Sequence, residues 1–176
     1  MTSRFYITGI SGTGKSTLAK ELGKQGVTAF DIDSVPGLCH WRDRATHEKA
    51  DYQYGIGKDW LDAHEWICDP EKLKGLLDQA IGKTVVLGLA SNQDSFLSFF
   101  GKVFLLHCRR ETFLQRLSTR DGDNQFAKDK SEQEHILSWY EDFESRLVQQ
   151  GAIPIDTDEN SISDTASKII VQMELT

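Results

Sequence analysis

The sequence lacks any apolar run near the ~20 residues that a membrane-spanning helix requires. Its first residues, Met1-Thr2-Ser3-Arg4, lead straight into a strand pattern rather than a signal-peptide pattern, so the cytoplasm is the expected compartment. Basic charge is scarce as well: 20 Lys and Arg stand against 27 Asp and Glu, a formal net charge of -7. Such a balance argues against general attraction to nucleic acid or to an anionic membrane, so phosphate must be held by focused donors or a local basic groove. Cysteine is sparse. Cys39, Cys68 and Cys108 make no CxxC pair and no even disulfide set, which fits free, mostly buried thiols in a reducing compartment. Repeats, low-complexity stretches and linkers are also missing, so 176 residues with 39% hydrophobic and 27% charged content read as one domain, 1–176.

What is present is an alternation of short apolar strands and amphipathic helices. Strands are expected at Arg4 to Thr8, Val27 to Ile32, Thr84 to Leu89, Lys102 to Cys108 and Ala152 to Ile155. Helical spacing runs over Lys15 to Gln25, Pro70 to Ile81 and about Ser163 to Met173, with Pro70 suited to a first helical turn. This order predicts an α/β fold with a five-stranded, mostly parallel sheet and helices on both faces. The segment 34–70 interrupts the pattern. It is rich in charge and aromatic residues, shows no strong strand, and suggests only a helix around Asp59 to Ile67.

Gly9-Ile10-Ser11-Gly12-Thr13-Gly14-Lys15-Ser16 matches the Walker A pattern, GxxxxGK followed by Ser or Thr, directly after a strand and directly before a helix. Glycines let the backbone curl its N–H groups around phosphates, and the helix N-terminus adds its positive end. Lys15 is expected on the β- and γ-phosphates and the Ser16 hydroxyl on magnesium, with Gly12, Thr13, Gly14 and Thr17 completing the nucleotide site. The third strand ends Leu87-Gly88-Leu89-Ala90-Ser91-Asn92 without an acidic residue, and no Asn-Lys-x-Asp base-reading motif occurs. Asp31 and Asp33, at the end of the second strand, therefore become the candidate acidic pair. Asp31 is expected in the magnesium shell through water and Asp33 as proton acceptor for the substrate hydroxyl, although their shared strand face allows the roles to be exchanged.

These features resemble the P-loop small-molecule and nucleotide kinases: the adenylate kinase-like, shikimate kinase-like and gluconate kinase-like group. The resemblance rests on the loop Gly9 to Ser16, on Phe30-Asp31-Ile32-Asp33 and on Arg116-Leu117-Ser118-Thr119-Arg120 before a lid. Ile155-Asp156-Thr157 after the fifth strand adds to it. It implies a three-layer P-loop NTPase fold using ATP and Mg2+, with a short lid over 116–130 and an inserted acceptor-binding segment. It further implies that one of Arg116 and Arg120 lies near the adenine and the other near the transferring phosphate, in either order, and that Asp156 and Thr157 border the base. Two departures stand out. The lid lacks the further arginines of nucleoside monophosphate kinases, and segment 34–70 matches no assignable substrate region.

Within that segment, Trp41 and Arg42, with His40, Arg44 and Trp60, are candidates for an acceptor pocket, since aromatic faces and guanidinium groups suit a planar or anionic substrate. Asn92 and Gln93 are candidates for acceptor hydrogen bonds, with capping the competing role for Asn92. His64 and Cys68 have the i, i+4 spacing of a helical metal pair, and His107-Cys108 adds two potential ligands, but no closed four-ligand pattern exists. Lys128 and Lys130 suit either phosphate attraction or a solvated helix start. The expected function is an ATP-dependent phosphotransferase acting on a small-molecule acceptor: a nucleoside, a nucleotide, a shikimate- or sugar-like polyol, or a natural product such as an antibiotic. A regulatory P-loop ATPase or nucleotide-dependent binding module is the alternative, and an RNA-end kinase fits the acidic balance least.

Overall fold

The computed structural model describes residues 3–119 and 126–175. In chain order the elements are β1 (Ser3–Thr8), α1 (Lys15–Lys24), β2 (Thr28–Asp31), β3 (Cys39–Asp43), β4 (Lys49–Ala50), α2 (Lys58–Ala63), β5 (His64–Cys68) and α3 (Pro70–Gln79). They continue with β6 (Lys83–Leu87), β7 (Lys102–His107), α4 (Arg110–Thr119), α5 (Lys130–Leu137), α6 (Tyr140–Gln149), β8 (Ile153–Asp156) and α7 (Ile162–Glu174). The main sheet has five strands in the order β2-β6-β1-β7-β8, and every pairing in it is parallel.

Alternation along the strands builds the three layers, because successive side chains leave opposite faces. Phe5, Ile7, Val85, Leu87, Phe104 and Leu106 meet Leu18 and Leu22 of α1 and Ala166, Ile169 and Met173 of α7. Tyr6 and Val86 meet Leu73 and Leu77 of α3 on the other face, together with Phe96 and Phe100. On that same face Leu105 packs with Phe113 and Leu117 of α4, Ile136 of α5, and Phe143 and Leu147 of α6. The strand C-termini all open toward one edge, and the Gly9 to Ser16 loop follows the central strand there.

The segment 34–70 departs from expectation. It carries a small antiparallel sheet in the order β4-β3-β5, and the helix expected around Asp59 to Ile67 stops at Ala63, where β5 begins. The two longer strands, β3 and β5, carry a tryptophan on one face and a charge on the other, with Trp41 opposite Trp66 and Arg42 opposite Glu65. No apolar run marks such a strand in sequence. The second main-sheet strand is also shorter than expected: it ends at Asp31, and Asp33 lies in a 3-10 turn, Ile32–Ser34, rather than two residues along a strand face.

That turn is held from beneath by Ile32, which is fully buried. A Cβ at Gly88, just past β6, would lie 2.2 Å from Ile32 Cγ1 and 2.5 Å from Cδ1. Gly88 is committed on both sides, its N–H donating to the Ile7 carbonyl at 3.0 Å and its own carbonyl accepting from Tyr6 Oη at 3.1 Å. Gly88→Ala should therefore lower stability by about 1–3 kcal/mol through overpacking, read as a lower urea midpoint at unchanged m-value.

Candidate active site

The loop between β1 and α1 is shaped by its glycines. Gly12 and Gly14 have φ of 84° and 95°, values that side-chain-bearing residues rarely adopt. A Cβ on Gly9 would sit 2.4 Å from the Leu106 carbonyl oxygen. Thr13, buried, donates its hydroxyl to the Ile10 carbonyl at 2.8 Å, which closes the loop. Lys15 Nζ donates to the Gly9 and Ile10 carbonyls at 2.5 and 3.0 Å, arching its ammonium over the loop. Gly12, Thr13, Gly14, Lys15, Ser16 and Thr17 all line the cleft.

The acidic pair sits beside the loop. Ser16 Oγ donates to Asp31 Oδ2 at 2.8 Å, joining the first turn of α1 to the end of β2. The other Asp31 oxygen accepts the Asp33 N–H at 3.0 Å, which fixes the turn. Asp33 in turn accepts from Trp66 Nε1 at 2.9 Å, so β5 of the inserted segment reaches the phosphate end. Partial desolvation by the surrounding cleft atoms, with the like charge of Asp31, raises its carboxyl above the ordinary range despite the Trp66 hydrogen bond and the charge of Lys15, while the side chain stays open to the cleft. Ser16 Oγ and the Asp31 carboxylate are hard oxygen donors beside a phosphate loop, a donor set that fits Mg2+. The expected two-residue strand alternation of the acids is replaced by a bend, and it separates their surroundings: Asp31 faces Ser16, and Asp33 faces the aromatic segment.

At the other end, Arg116 of α4 bridges two loops. Its Nη1 donates to Thr157 Oγ1 at 2.9 Å and its Nη2 to the Thr157 carbonyl at 2.6 Å, while Nη1 lies 3.5 Å from the Gly12 carbonyl. Thr157 itself is tied to His107 by its N–H at 2.9 Å and its hydroxyl at 3.0 Å, both to the carbonyl. Asp156 is placed otherwise: its carboxylate accepts the Asp158 N–H at 2.7 Å within the loop, and Thr157 and Asn160 line the cleft in its stead. Arg120 and the middle of the expected lid, 120–125, lie outside the described residues.

Between these ends lies a cleft of about 1320 Å3. Its outer half is walled by Trp41, Trp66, Tyr52 and Phe126, the last three with ring centroids 5.5, 6.0 and 6.0 Å from that of Trp41, and Trp60 backs Trp41 at 5.3 Å without lining the cleft. Trp41 is thus where the sequence suggested. Arg42 is not. Antiparallel register puts it on the face opposite Trp41, where its Nε binds Glu65 at 2.7 Å, and it does not line the cleft. Arg44 also binds Glu65, at 3.3 Å, and does reach the cleft. His40 shares the Arg42 face. Asn92 serves the fold rather than an acceptor, since its side chain accepts the Cys68 N–H at 2.9 Å and donates to the Cys68 carbonyl at 2.8 Å. Gln93 is buried and accepts from Thr8 Oγ1 at 3.1 Å.

His64 and Cys68 stand at the two ends of a strand, so the helical metal-pair spacing is not their geometry, and among the described residues no cluster of three metal-ligating side chains forms. Lys130 opens α5, whose cap is Asp129. Sequence reasoning missed Trp66, Tyr52, His64, His135, Trp139 and Asp142 as lining residues. Period-two alternation through 39–43 and 64–68 was the available signal for Trp66 and His64. Nothing local marked the others.

The raised pKa of Asp33 has a measurable consequence. Its folded-state pKa lies above the ordinary value, so the stabilisation linked to its proton is whole below the ordinary carboxylate range and is lost as pH rises through the raised value. At neutral pH the ionised group opposes folding. Asp33→Asn, which keeps an oxygen for Trp66 Nε1, should raise the melting temperature at about pH 7, with the gain vanishing near pH ~3 where both forms are neutral. Thermal unfolding of the two proteins across that range checks this, and a gain independent of pH would show that charge crowding is not its source.

The fold is shared by solved structures over nearly the whole chain. The shikimate kinase of Acinetobacter baumannii in complex with shikimate is similar at 19% identity with a TM-score of 0.60, covering 99% of this chain and 94% of that one. The deoxyadenosine kinase of M. mycoides with bound dATP is similar at 16% identity and a TM-score of 0.59, covering 97% and 99%. An unliganded sugar kinase from a Janibacter species is similar at 16% identity and a TM-score of 0.55, covering 100% and 96%. The resemblance to P-loop small-molecule and nucleotide kinases is thus borne out in the fold. No curated protein matches the chain. Residues 6–137, which hold the phosphate loop, the acidic turn, the inserted segment and Arg116, match the AAA domain family, and the chain belongs to that family.

Proposed function

We propose that this protein transfers the γ-phosphoryl group of ATP, with Mg2+, to a hydroxyl or phosphate of a small molecule held by the segment 34–70. The observation that carries the reading is Asp33. It stands at the junction of the phosphate end and the aromatic chamber, hydrogen-bonded to Trp66 of the acceptor segment and raised in pKa toward the range of a working base.

The residues take distinct roles. The loop N–H groups and Lys15 hold the β- and γ-phosphates, and Arg116, anchored on Thr157, sits between the loop and the base side of the cleft. Ser16 and Asp31 would hold Mg2+, which would supply neutralisation of the charge that spreads over the transferring group. Asp33 orients the acceptor hydroxyl and takes its proton, while Trp41, Trp66 and Tyr52 pack the acceptor and keep water away. With three unpaired thiols, the protein suits a reducing cytoplasm. The alternative, a nucleotide-switched binding module, would use the segment's rings on an outer surface. Trp41 and Trp66 instead line the cleft, which supports a small-molecule acceptor.

ADP formation from ATP and magnesium, measured across nucleosides, nucleoside monophosphates, shikimate, sugar acids and aminoglycosides, tests the proposal. One class should stimulate turnover, Lys15→Ala should abolish the stimulation, and Asp33→Asn should lower kcat at least about 100-fold. Nucleotide hydrolysis stimulated by a macromolecule but by no member of the panel would favour the binding module. A loss below about tenfold in Asp33→Asn, under ~1.4 kcal/mol of barrier, would remove Asp33 from the base role.

A further inference from the structure

Cys39 and Cys68 stand directly opposite one another across β3 and β5, and both are free thiols. The hydrogen-bond ladder fixes what kind of pair they are. The Arg44 N–H donates to the Ala63 carbonyl and the Asp69 N–H to the Leu38 carbonyl, each at 2.9 Å, so the pairs 44/63 and 38/69 bracketing the ladder are hydrogen-bonded ones. Hydrogen-bonded and non-bonded pairs alternate in an antiparallel ladder, which makes 39/68 a non-bonded pair. The backbone of Cys68 agrees: its N–H and carbonyl both turn away from β3 and are taken by the Asn92 side chain. Non-bonded pairs have the closest approach, with Cα atoms about 4.5 Å apart, and a disulfide accepts about 4.4–6.8 Å.

We infer that Cys39 and Cys68 form a reversible cross-strand disulfide that clamps the base of the acceptor segment. Cys68 is fully buried and Cys39 half-buried, so Cys39 meets an oxidant first and Cys68 resolves it. With a small-molecule disulfide as oxidant, the Cys39 thiolate attacks one of its sulfurs and expels the other as a thiol. The Cys68 thiolate then attacks the Cys39 sulfur of the mixed disulfide and expels the second thiol. Two electrons pass from the protein to the oxidant, and the two protein protons end on the expelled thiols. Closure joins residues 39 and 68, so the strands carrying Trp41 and Trp66 can no longer separate at that end. The reaction is slow at neutral pH, because hydrogen bonding to Cys68, burial, and the charges of Asp33 and Asp31 hold the Cys39 thiol protonated, and Tyr6 beside the pair is likewise neutral.

The test is oxidised glutathione added to the full-length protein, followed by thiol counting, intact mass and hydrogen exchange. Two of the three thiols should be lost with a mass decrease of two hydrogens, faster at alkaline pH and reversed by dithiothreitol, while Cys108→Ser still loses two and Cys39→Ser loses none as an internal bond. Amide exchange within 39–68 should slow in the oxidised protein, with the phosphate loop unchanged. A stable glutathione adduct on Cys39 with Cys68 still free would overturn the cross-link, and unchanged exchange in 39–68 would overturn the clamp. Neither readout depends on the acceptor or on turnover, so the outcome is separate from that of the kinase reading.

Discussion

Everything functional in this molecule depends on β1 being buried on both faces. Phe5 and Ile7 are packed under α1 and α7, and Tyr6 is packed against Phe96 and Phe100 on the other side, with ring centroids 5.6 and 5.1 Å away. A strand sealed in this way cannot shift register without exposing one of its apolar faces. The loop that follows it is therefore delivered to a fixed point at the C-terminal edge of the sheet. From there α1 brings Ser16 against Asp31 of β2, two strands away in the sheet order, and α4 brings Arg116 against Thr157 beyond β8. The cleft is a consequence of the sheet order, since each contributor is a strand end or the first turn after one.

Stability is surrendered at the same edge. Asp33 carries a carboxylate in a turn pinned by a buried isoleucine, beside another carboxylate and under a tryptophan. Nothing in the fold requires an acid there, and an amide would hold the Trp66 hydrogen bond without the charge. Surroundings of this kind tune a group's proton affinity, which is what the role proposed for Asp33 asks of it. Asp31 shows the contrast. It gains hydrogen bonds from Ser16 and from the Asp33 N–H, so the two acids, two residues apart in sequence, are given different partners by a single bend.

The main sheet and the phosphate loop were legible in the sequence because both are written locally. An apolar strand, a glycine pattern and a helix period each need only neighbouring residues, and all five parallel strands fall where apolar runs predict them. The small sheet of the inserted segment was not legible in that way. β3 and β5 pair residues 29 positions apart at Cys39 and Cys68, with Trp41 and Trp66 on one face and Arg42 and Glu65 on the other, so no apolar run forms. Arg42 was misplaced for that reason: without the strand, its face was unknown, and adjacency to Trp41 suggested a shared pocket where period-two geometry puts them on opposite sides. Asn92 was misread because its partner, the backbone of Cys68, is distant in sequence. The competing reading as a structural cap was nearer, although what it satisfies is a strand edge and not a helix.

The acceptor side of the cleft is assembled from two segments that have no covalent reason to meet, and one buried carboxylate joins them. Glu132 of α5 is fully buried and accepts from Tyr52 Oη at 2.5 Å and from the Ala127 N–H at 2.7 Å. The first bond reaches 80 residues back into the inserted segment, and the second holds Ala127 in a positive-φ conformation, 65°, that alanine does not favour. An unpartnered carboxylate in that position would cost several kcal/mol in lost hydration, so each bond is needed by the acid as much as the acid is needed by the wall. The result sets Phe126 against both Trp41 and Tyr52, with ring centroids 6.0 and 5.7 Å away. His135 on the same helix adds a second tie, its Nδ1 meeting Asp62 of α2 at 2.8 Å. The shape of the chamber is therefore decided by polar contacts at its rim, and the aromatic rings inside follow the positions those contacts allow.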